Sequence, residues 1–130
     1  MGEKLKATAL VVEDDQIQRA MVAMLLEETD IQVIQCESAE AAELVLEKVG
    51  GCLCMMFTDV NLAGRMTGAE LATKARRRFP DLKVIVSSGR NPPDLPEGTM
   101  FMPKPWRALD VVREAELSRH WLKSTPVGRL

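Results

Sequence analysis

The chain has 130 residues, of which 46% are hydrophobic and 28% charged, and this balance is typical of one globular domain with its own core. The net charge of −2 at pH 7 gives no electrostatic basis for direct binding of nucleic acid. No apolar run reaches the length of a transmembrane helix, and the first residues lack the apolar region of a signal peptide, so neither membrane insertion nor secretion is expected.

Short apolar runs alternate with longer amphipathic stretches along the chain. In chain order, the pattern predicts a strand at 7–12, a helix at 15–28, a strand at 31–35, a helix at 39–48, a strand at 53–58, a helix at 69–78, strands at 84–86 and 99–102, and a last helix at 105–122. The connection 90–98 contains three prolines, so any helix there must be short or broken. This alternation predicts a parallel sheet with helices on both faces.

Polar residues follow four of the five predicted strands. Because the carboxyl ends of parallel strands meet at one edge of a sheet, near the point where the strand order reverses, we expect these residues to converge. They are Glu13, Asp14 and Asp15 after the first strand, Asp59 after the third, Ser87 and Ser88 after the fourth, and Lys104 after the fifth.

These residue types suit phosphoryl transfer with a metal ion. Clustered carboxylates repel one another unless a cation lies among them, and Mg²⁺ prefers oxygen ligands. Asp14 and Asp59 are the best direct ligands, with Glu13 binding directly or through water. Lys104 and Ser87 can each pair with an oxygen of a phosphoryl group, and a carboxylate beside a metal can accept that group covalently. Each residue alone is more often an ordinary turn, cap or surface residue, but four such groups at successive strand ends favour a functional interpretation.

In this order the motifs resemble those of the response regulator receiver domain of two-component signalling. The motifs are VVEDD, FTDVNLAG followed by TG, VIVSSG and PKP, and the resemblance covers about residues 8–122. It implies an α/β, flavodoxin-like, doubly wound (βα)5 fold, with a five-stranded parallel sheet in the order 2-1-3-4-5 and a short fourth helix. The expected boundaries are an N-terminal extension at 1–6, the receiver domain at 7–123 and a C-terminal tail at 124–130.

The resemblance also implies roles for single residues at the phosphorylation site. Asp59 would be the phosphoacceptor. Glu13 and Asp14 would be the acidic pair at Mg²⁺, Asp59 would be a further ligand, and Asn61 would add its backbone carbonyl. Lys104 would pair with the phosphoryl group. The protein would then catalyse its own phosphorylation and slow dephosphorylation, without being a metabolic enzyme.

A second group of residues would form the switch. The resemblance implies that Ser87 binds the phosphoryl group and shifts toward it, while Phe101 turns inward and changes the surface of the fourth helix, fifth strand and fifth helix. The chain departs from the family pattern in the loop after the phosphoacceptor, which is about one residue longer than in chemotaxis-type receivers and has Ala63 where proline is frequent. Trp106 stands where phenylalanine is commoner, and we expect it to be an anchor at the start of the last helix.

Three functions compete. A phosphorylation-dependent switch is ranked first. An aspartyl-phosphate phosphatase would need an acid two residues after the nucleophile, where this chain has Asn61. A phosphorylation-independent interaction module would typically lack Asp59, Asp14 or Lys104, and all three are present.

The resemblance implies a sensor histidine kinase or a histidine phosphotransferase, or both, as partners, together with an unknown downstream protein. The receiver would either stand alone or be part of a longer protein, such as a hybrid kinase. Three cysteines are an odd number, and no secretory signal precedes them, so we expect a reduced, cytoplasmic location.

Overall fold

The computed structural model describes residues 7–91 and 94–124, with side chains described as far as residue 119. The expected N-terminal extension at 1–6 and residues 125–130 of the expected tail lie outside this part of the chain. Within the described part, no helix combines the length and the apolar composition that crossing a bilayer requires.

Five parallel strands form one sheet in the order β2-β1-β3-β4-β5, which confirms the predicted fold and strand order. The central strand β3 is buried along its whole length because neighbouring strands and helices cover both of its sides. The strands are β1 (Ala7–Val12), β2 (Ile31–Cys36), β3 (Leu53–Asp59), β4 (Lys83–Ser88) and β5 (Thr99–Pro103).

Four α-helices cover the two faces of the sheet in the described part of the chain. Three of them begin at a side-chain cap: Asp15 accepts from the Gln18 N–H, Ser38 from the Ala41 N–H, and Thr67 forms a capping box with Glu70. The helices are α1 (Gln16–Glu27), α2 (Ala39–Val49), α3 (Gly68–Arg78) and α4 (Ala108–Ser124), and a 3₁₀ turn (Gly50–Cys52) follows α2.

The hydrophobic core has two layers because the side chains of a strand alternate between the sheet faces. Helices α2 and α3 pack on one face, and α1 and α4 pack on the other. The first layer includes Leu10, Met56, Leu71, Val84 and Val86, and the second includes Val11, Leu26, Met55, Ile85 and Val111. Because these apolar segments are buried as strands, their positions in the sequence determine which residues lie at the strand ends.

The connection between β4 and β5 differs from the expected short fourth helix. The described residues of that connection, 89–91 and 94–98, contain no helix. Pro96 lacks the N–H that a helix needs, and Gly98 has a left-handed φ of 87°. Arg76 of α3 binds the segment instead by donating to the carbonyl of Glu97 at 3.2 Å.

Helix α1 leaves part of its apolar stripe in solvent. Ile17, Met21 and Met24 recur at helical spacing, yet they are 75%, 45% and 55% exposed. The residues that α1 buries are Val22, Ala23 and Leu26. The last helix also begins later than the sequence predicts, at Ala108 rather than at 105.

Candidate functional site

Three carboxylates meet at the carboxyl edge of the sheet. Glu13 directly follows β1, Asp14 lies next to it, and Asp59 is the last residue of β3. One oxygen from each of the three lies within 4.8 Å of the others. Glu13 and Asp59 are buried, whereas Asp14 is exposed. The structure therefore brings together the acidic residues that the sequence singled out.

Lys104 follows β5 and reaches into this cluster. Its Nζ lies 3.4 Å from Asp59 Oδ1 and 3.5 Å from Glu13 Oε1, and it donates a hydrogen bond of 2.8 Å to Gln18 Oε1. The Lys104 N–H donates to the carbonyl of Ser88, which holds this residue beside β4, and the Lys104–Pro105 peptide bond is cis. In the described part of the chain, Lys104 is the one cation in an ion pair with any of the three clustered carboxylates, so the cluster remains short of positive charge.

Burial sets the electrostatics of the two inner carboxyls. Burial raises the pKa of Asp59, and Lys104 only partly opposes this rise. Burial also raises the pKa of Glu13, where the N–H of Asp15 lowers it and the carboxyl groups of Asp14 and Asp59 raise it further. Since desolvation and like charges both disfavour the ionised form, a bound cation would stabilise these carboxylates.

Ser87 lies beside Asp59 because the two residues are paired in the register of β3 and β4. Its side chain is buried, and its Oγ has no hydrogen-bond partner among the described residues. A buried hydroxyl without a partner costs free energy, so such groups usually have a functional or ligand-related explanation. The hydroxyl is available to an oxygen atom bound at Asp59.

The loop that leaves Asp59 is fixed close to the sheet. Val60 donates to the carbonyl of Ser87 at 3.0 Å, and the N–H of Gly68 donates to the carbonyl of Val60 at 2.8 Å. A Cβ on Gly68 would lie 1.8 Å from the Asp59 carbonyl oxygen, so only glycine allows α3 to begin there. Asn61, the expected carbonyl ligand, is exposed at the start of this loop.

The expected switch residue Phe101 is half-buried on β5 and paired in register with Val86. It points to the sheet face of α2 and α3, opposite to the face of Met102. Trp106 packs edge-on against Phe57, with ring centroids 6.1 Å apart, as expected of an anchor before the last helix.

Sequence reasoning missed two side chains of this region. Gln18 is the hydrogen-bond partner of Lys104, and Glu40 binds the loop after Asp59 through the N–H groups of Arg65 and Met66. Both lie on helices, where glutamine and glutamate are common surface residues. In the sequence, only the position of Glu40 in the first turn after a serine cap could have drawn attention to it. No sequence pattern indicates the role of Gln18.

A family profile described as the response regulator receiver domain matches residues 9–100 of the chain. Two curated relatives match 113 residues each. The two-component response regulator ORR6 of Oryza sativa subsp. japonica is 33% identical, over 80% of this chain and 66% of its own length, so this chain spans slightly less than two thirds of that protein. The response regulator receiver protein CpdR of Brucella abortus (strain 2308) is 29% identical, over 82% of this chain and 92% of its own length.

Solved structures show the same fold. The receiver domain from the hybrid histidine kinase CckA superposes with a TM-score of 0.74 at 26% identity, covering 86% of this chain and 98% of that one. A CheY-like receiver domain protein from Methanospirillum hungatei JF-1 superposes with a TM-score of 0.77 at 20% identity, covering 92% of this chain and 98% of that one. At 20% identity, the similarity to the Methanospirillum hungatei structure shows the fold alone.

Proposed function

Since this chain belongs to the response regulator receiver domain family of two-component systems, we propose that it is a phosphorylation-activated switch in which Asp59 accepts a phosphoryl group from a phosphohistidine. The observation that carries the proposal is the surroundings of Asp59. Its carboxylate is buried, Lys104 Nζ lies 3.4 Å away, and the neighbouring hydroxyl of Ser87 has no partner among the described residues.

The transfer needs few chemical groups from the protein. A carboxylate oxygen of Asp59 attacks the phosphorus, the P–N bond of the phosphohistidine breaks, and its electron pair returns to the imidazole nitrogen. Lys104 pairs with a phosphoryl oxygen, which offsets the negative charge brought into the site. The Ser87 hydroxyl donates a hydrogen bond to another phosphoryl oxygen and so gains a partner that it does not have among the described residues.

The donor set fits Mg²⁺. Three carboxylate oxygens within 4.8 Å of one another, two of them from buried residues, are oxygen ligands of the kind this ion prefers. Glu13, Asp14 and Asp59 would hold it, directly or through water, together with the backbone carbonyl of Asn61. The ion supplies charge stabilisation to the phosphoryl oxygens during transfer. Its charge would also offset the burial that raises the pKa of Glu13 and Asp59.

The phosphoryl donor would be a sensor histidine kinase or a histidine phosphotransferase, and it would approach from the side of α1. A cavity of about 370 Å³ opens there, lined by Gln18, Met21, Lys104, Pro105 and Trp106. The exposed side chains of Ile17 and Met21 continue from this opening along α1. An apolar surface next to the reacting carboxylate suits a partner that must bring its histidine to Asp59.

Phosphorylation would then change what the surface around β5 binds. Ser87 would move toward the phosphoryl group, and Phe101, on the neighbouring strand, would turn inward. Because the described part of the connection between β4 and β5 contains no helix, the responding surface would consist of this connection, β5 and α4. An unknown downstream protein would read the change.

Incubation with Mg²⁺ and acetyl phosphate, followed by intact mass spectrometry, tests the proposal. Wild type should gain one phosphoryl group, while Asp59→Asn, or wild type in excess EDTA, should gain none. Asp94→Asn, which changes an exposed aspartate outside the carboxylate cluster, should label like wild type. Failure of folded wild type to gain mass, beside a receiver that labels normally, would favour a phosphorylation-independent interaction module.

A further inference from the structure

The loop of residues 61–67 is held by a carboxylate outside the cluster of Glu13, Asp14 and Asp59. Glu40 lies in the first turn of α2, and its Oε2 accepts hydrogen bonds from the N–H groups of Arg65 and Met66, both at 3.0 Å. These bonds join residues more than twenty positions apart in sequence. The pKa of the Glu40 carboxyl is lowered by hydrogen bonds from backbone N–H groups, first that of Glu40 itself and then those of Met66 and Arg65.

Two further features of the loop place it close to Glu40 and the start of α2. Ala63 forms a parallel β-bridge with Ser38, the N-cap of α2. Gly64 has a left-handed φ of 100°, and a Cβ there would lie 2.7 Å from Glu40 Oε1. A glycine at this position therefore permits both the turn and the close approach of the carboxylate.

The held loop shares a cavity with one residue of the carboxylate cluster. This cavity of about 460 Å³ is lined by Asp14 of the cluster, by Ala63 and Gly64 of the loop, and by Glu40. Asn61 begins the loop two residues after Asp59. Along the chain, Asn61 thus lies between Val60, which is hydrogen-bonded to Ser87 and Gly68, and the part of the loop that Glu40 holds.

We propose that Glu40 is a positioning residue of the phosphorylation site, which fixes the loop of residues 61–67 so that the backbone carbonyl of Asn61 is available to a cation that Asp14 and Asp59 would hold. The proposal rests on the function proposed above. A loop without this anchor would populate several conformations, and only the competent fraction would bind the cation. The apparent dissociation constant rises in inverse proportion to that fraction.

Glu40→Ala and Glu40→Gln in the full chain test the proposal, with Glu43→Ala as the matched control. Glu43 lies one turn further along α2 and pairs with Lys74 at 2.9 Å, so its removal deletes a similar surface charge without touching the loop. The measurements are Mg²⁺ titration by calorimetry and hydrogen exchange of the Arg65 and Met66 amides without Mg²⁺. Neither requires phosphorylation.

Glu40→Ala should weaken Mg²⁺ binding by a factor on the order of five to ten and speed amide exchange at residues 65 and 66, because it removes two charge-assisted hydrogen bonds. Glu40→Gln should stay close to wild type because its amide oxygen can still accept both bonds. Gly64→Ala, which disturbs the same contact from the loop side, should also weaken Mg²⁺ binding. In phosphorylation by acetyl phosphate, Glu40→Ala should raise the Mg²⁺ concentration for half-maximal rate more than it lowers the maximal rate.

The proposal would be overturned if Glu40→Ala had the same Mg²⁺ affinity and the same amide exchange as wild type. It would also be overturned if Glu43→Ala lost as much Mg²⁺ affinity as Glu40→Ala. If wild type binds Mg²⁺ and the variants differ as expected, but no phosphoryl group is gained, the positioning role stands and the proposed phosphorylation fails. If wild type is phosphorylated and Glu40→Ala behaves identically at every Mg²⁺ concentration, only the role of Glu40 is refuted.

Discussion

Removing the charge of Asp59 should stabilise the protein when no divalent cation is bound. The Asp59 carboxylate lies within 4.8 Å of oxygens from Glu13 and Asp14, and Lys104 at 3.4 Å is its one ion-pair partner among the described residues. Burial raises the pKa of Asp59 in spite of Lys104. Asp59→Asn keeps the shape of the side chain and removes the repulsion, so its free energy of unfolding at pH 7 should exceed that of wild type.

The distances set the size of the effect. At an effective dielectric constant of about 20, each neighbouring carboxylate repels Asp59 by about 3.5 kcal/mol and Lys104 attracts it by about 5 kcal/mol. The net repulsion is then roughly 2 kcal/mol, and solvent around the exposed Asp14 reduces it toward about 1 kcal/mol. For a domain of this size, such a gain should raise the melting temperature by roughly 3 to 8 °C.

The pH dependence of this gain has a defined sign. Because the folded-state pKa of Asp59 is raised above its unfolded value, protonated Asp59 stabilises the fold below the unfolded pKa, and this contribution is lost as the pH rises through the folded pKa. The stability difference between Asp59→Asn and wild type should therefore be largest near neutral pH. It should shrink as the pH falls below the raised pKa, where both side chains are neutral.

Differential scanning calorimetry in EDTA, at pH 7 and about pH 4, measures both effects. Mg²⁺ at ten times its dissociation constant should stabilise wild type by about 1.4 kcal/mol and Asp59→Asn by less. Asp94→Asn should melt like wild type. A lower melting temperature for Asp59→Asn at pH 7, or equal stabilisation of both proteins by Mg²⁺, would refute the electrostatic reasoning.

Two further predictions concern the surroundings of the site. Gly68→Ala should lower the free energy of unfolding in urea by about 2 to 4 kcal/mol, because its Cβ would lie 1.8 Å from the backbone oxygen of Asp59. Gly51→Ala, which meets no atom within 4 Å, should change it by less than about 0.5 kcal/mol, and similar losses in the two variants would contradict the steric argument. Burial raises the pKa of the Cys54 thiol to about 11, so iodoacetamide at pH 8 should alkylate the exposed Cys52 and leave Cys54 unmodified in the folded protein. Peptide mass mapping checks this, and equal modification of the two thiols would show that the start of β3 is open to solvent.

The sheet and the grouping of the strand-end residues could be predicted from the sequence because both depend on local patterns and one general rule. Alternating apolar runs and amphipathic stretches define strands and helices, and parallel strands place their carboxyl ends at one edge. Glu13, Asp59, Ser87 and Lys104 meet at this edge, as the rule predicts. The chemical roles of these residues stay a proposal.

Details that depend on competition between local and distant interactions could not be predicted. The prolines of the connection between β4 and β5 limited a helix there, and its described residues contain none, but the bond from Arg76 to the Glu97 carbonyl that joins this connection to α3 has no signal in the sequence. Similarly, helical spacing grouped Ile17, Met21 and Met24 with Leu25 and Leu26, and only packing in the tertiary structure decided that Leu26 is buried while Ile17, Met21 and Met24 are exposed.

The sequence by itself therefore determined the order of elements, the edge at which the site forms and the residues that stand on it. Only the tertiary structure decided how those residues are supported: Gln18 binding Lys104 across 86 positions, Glu40 holding the loop after Asp59, and the Ser87 hydroxyl without a partner among the described residues. Hydropathy patterns and caps act within a few residues of chain, whereas these contacts join elements that are brought together only when the two core layers pack.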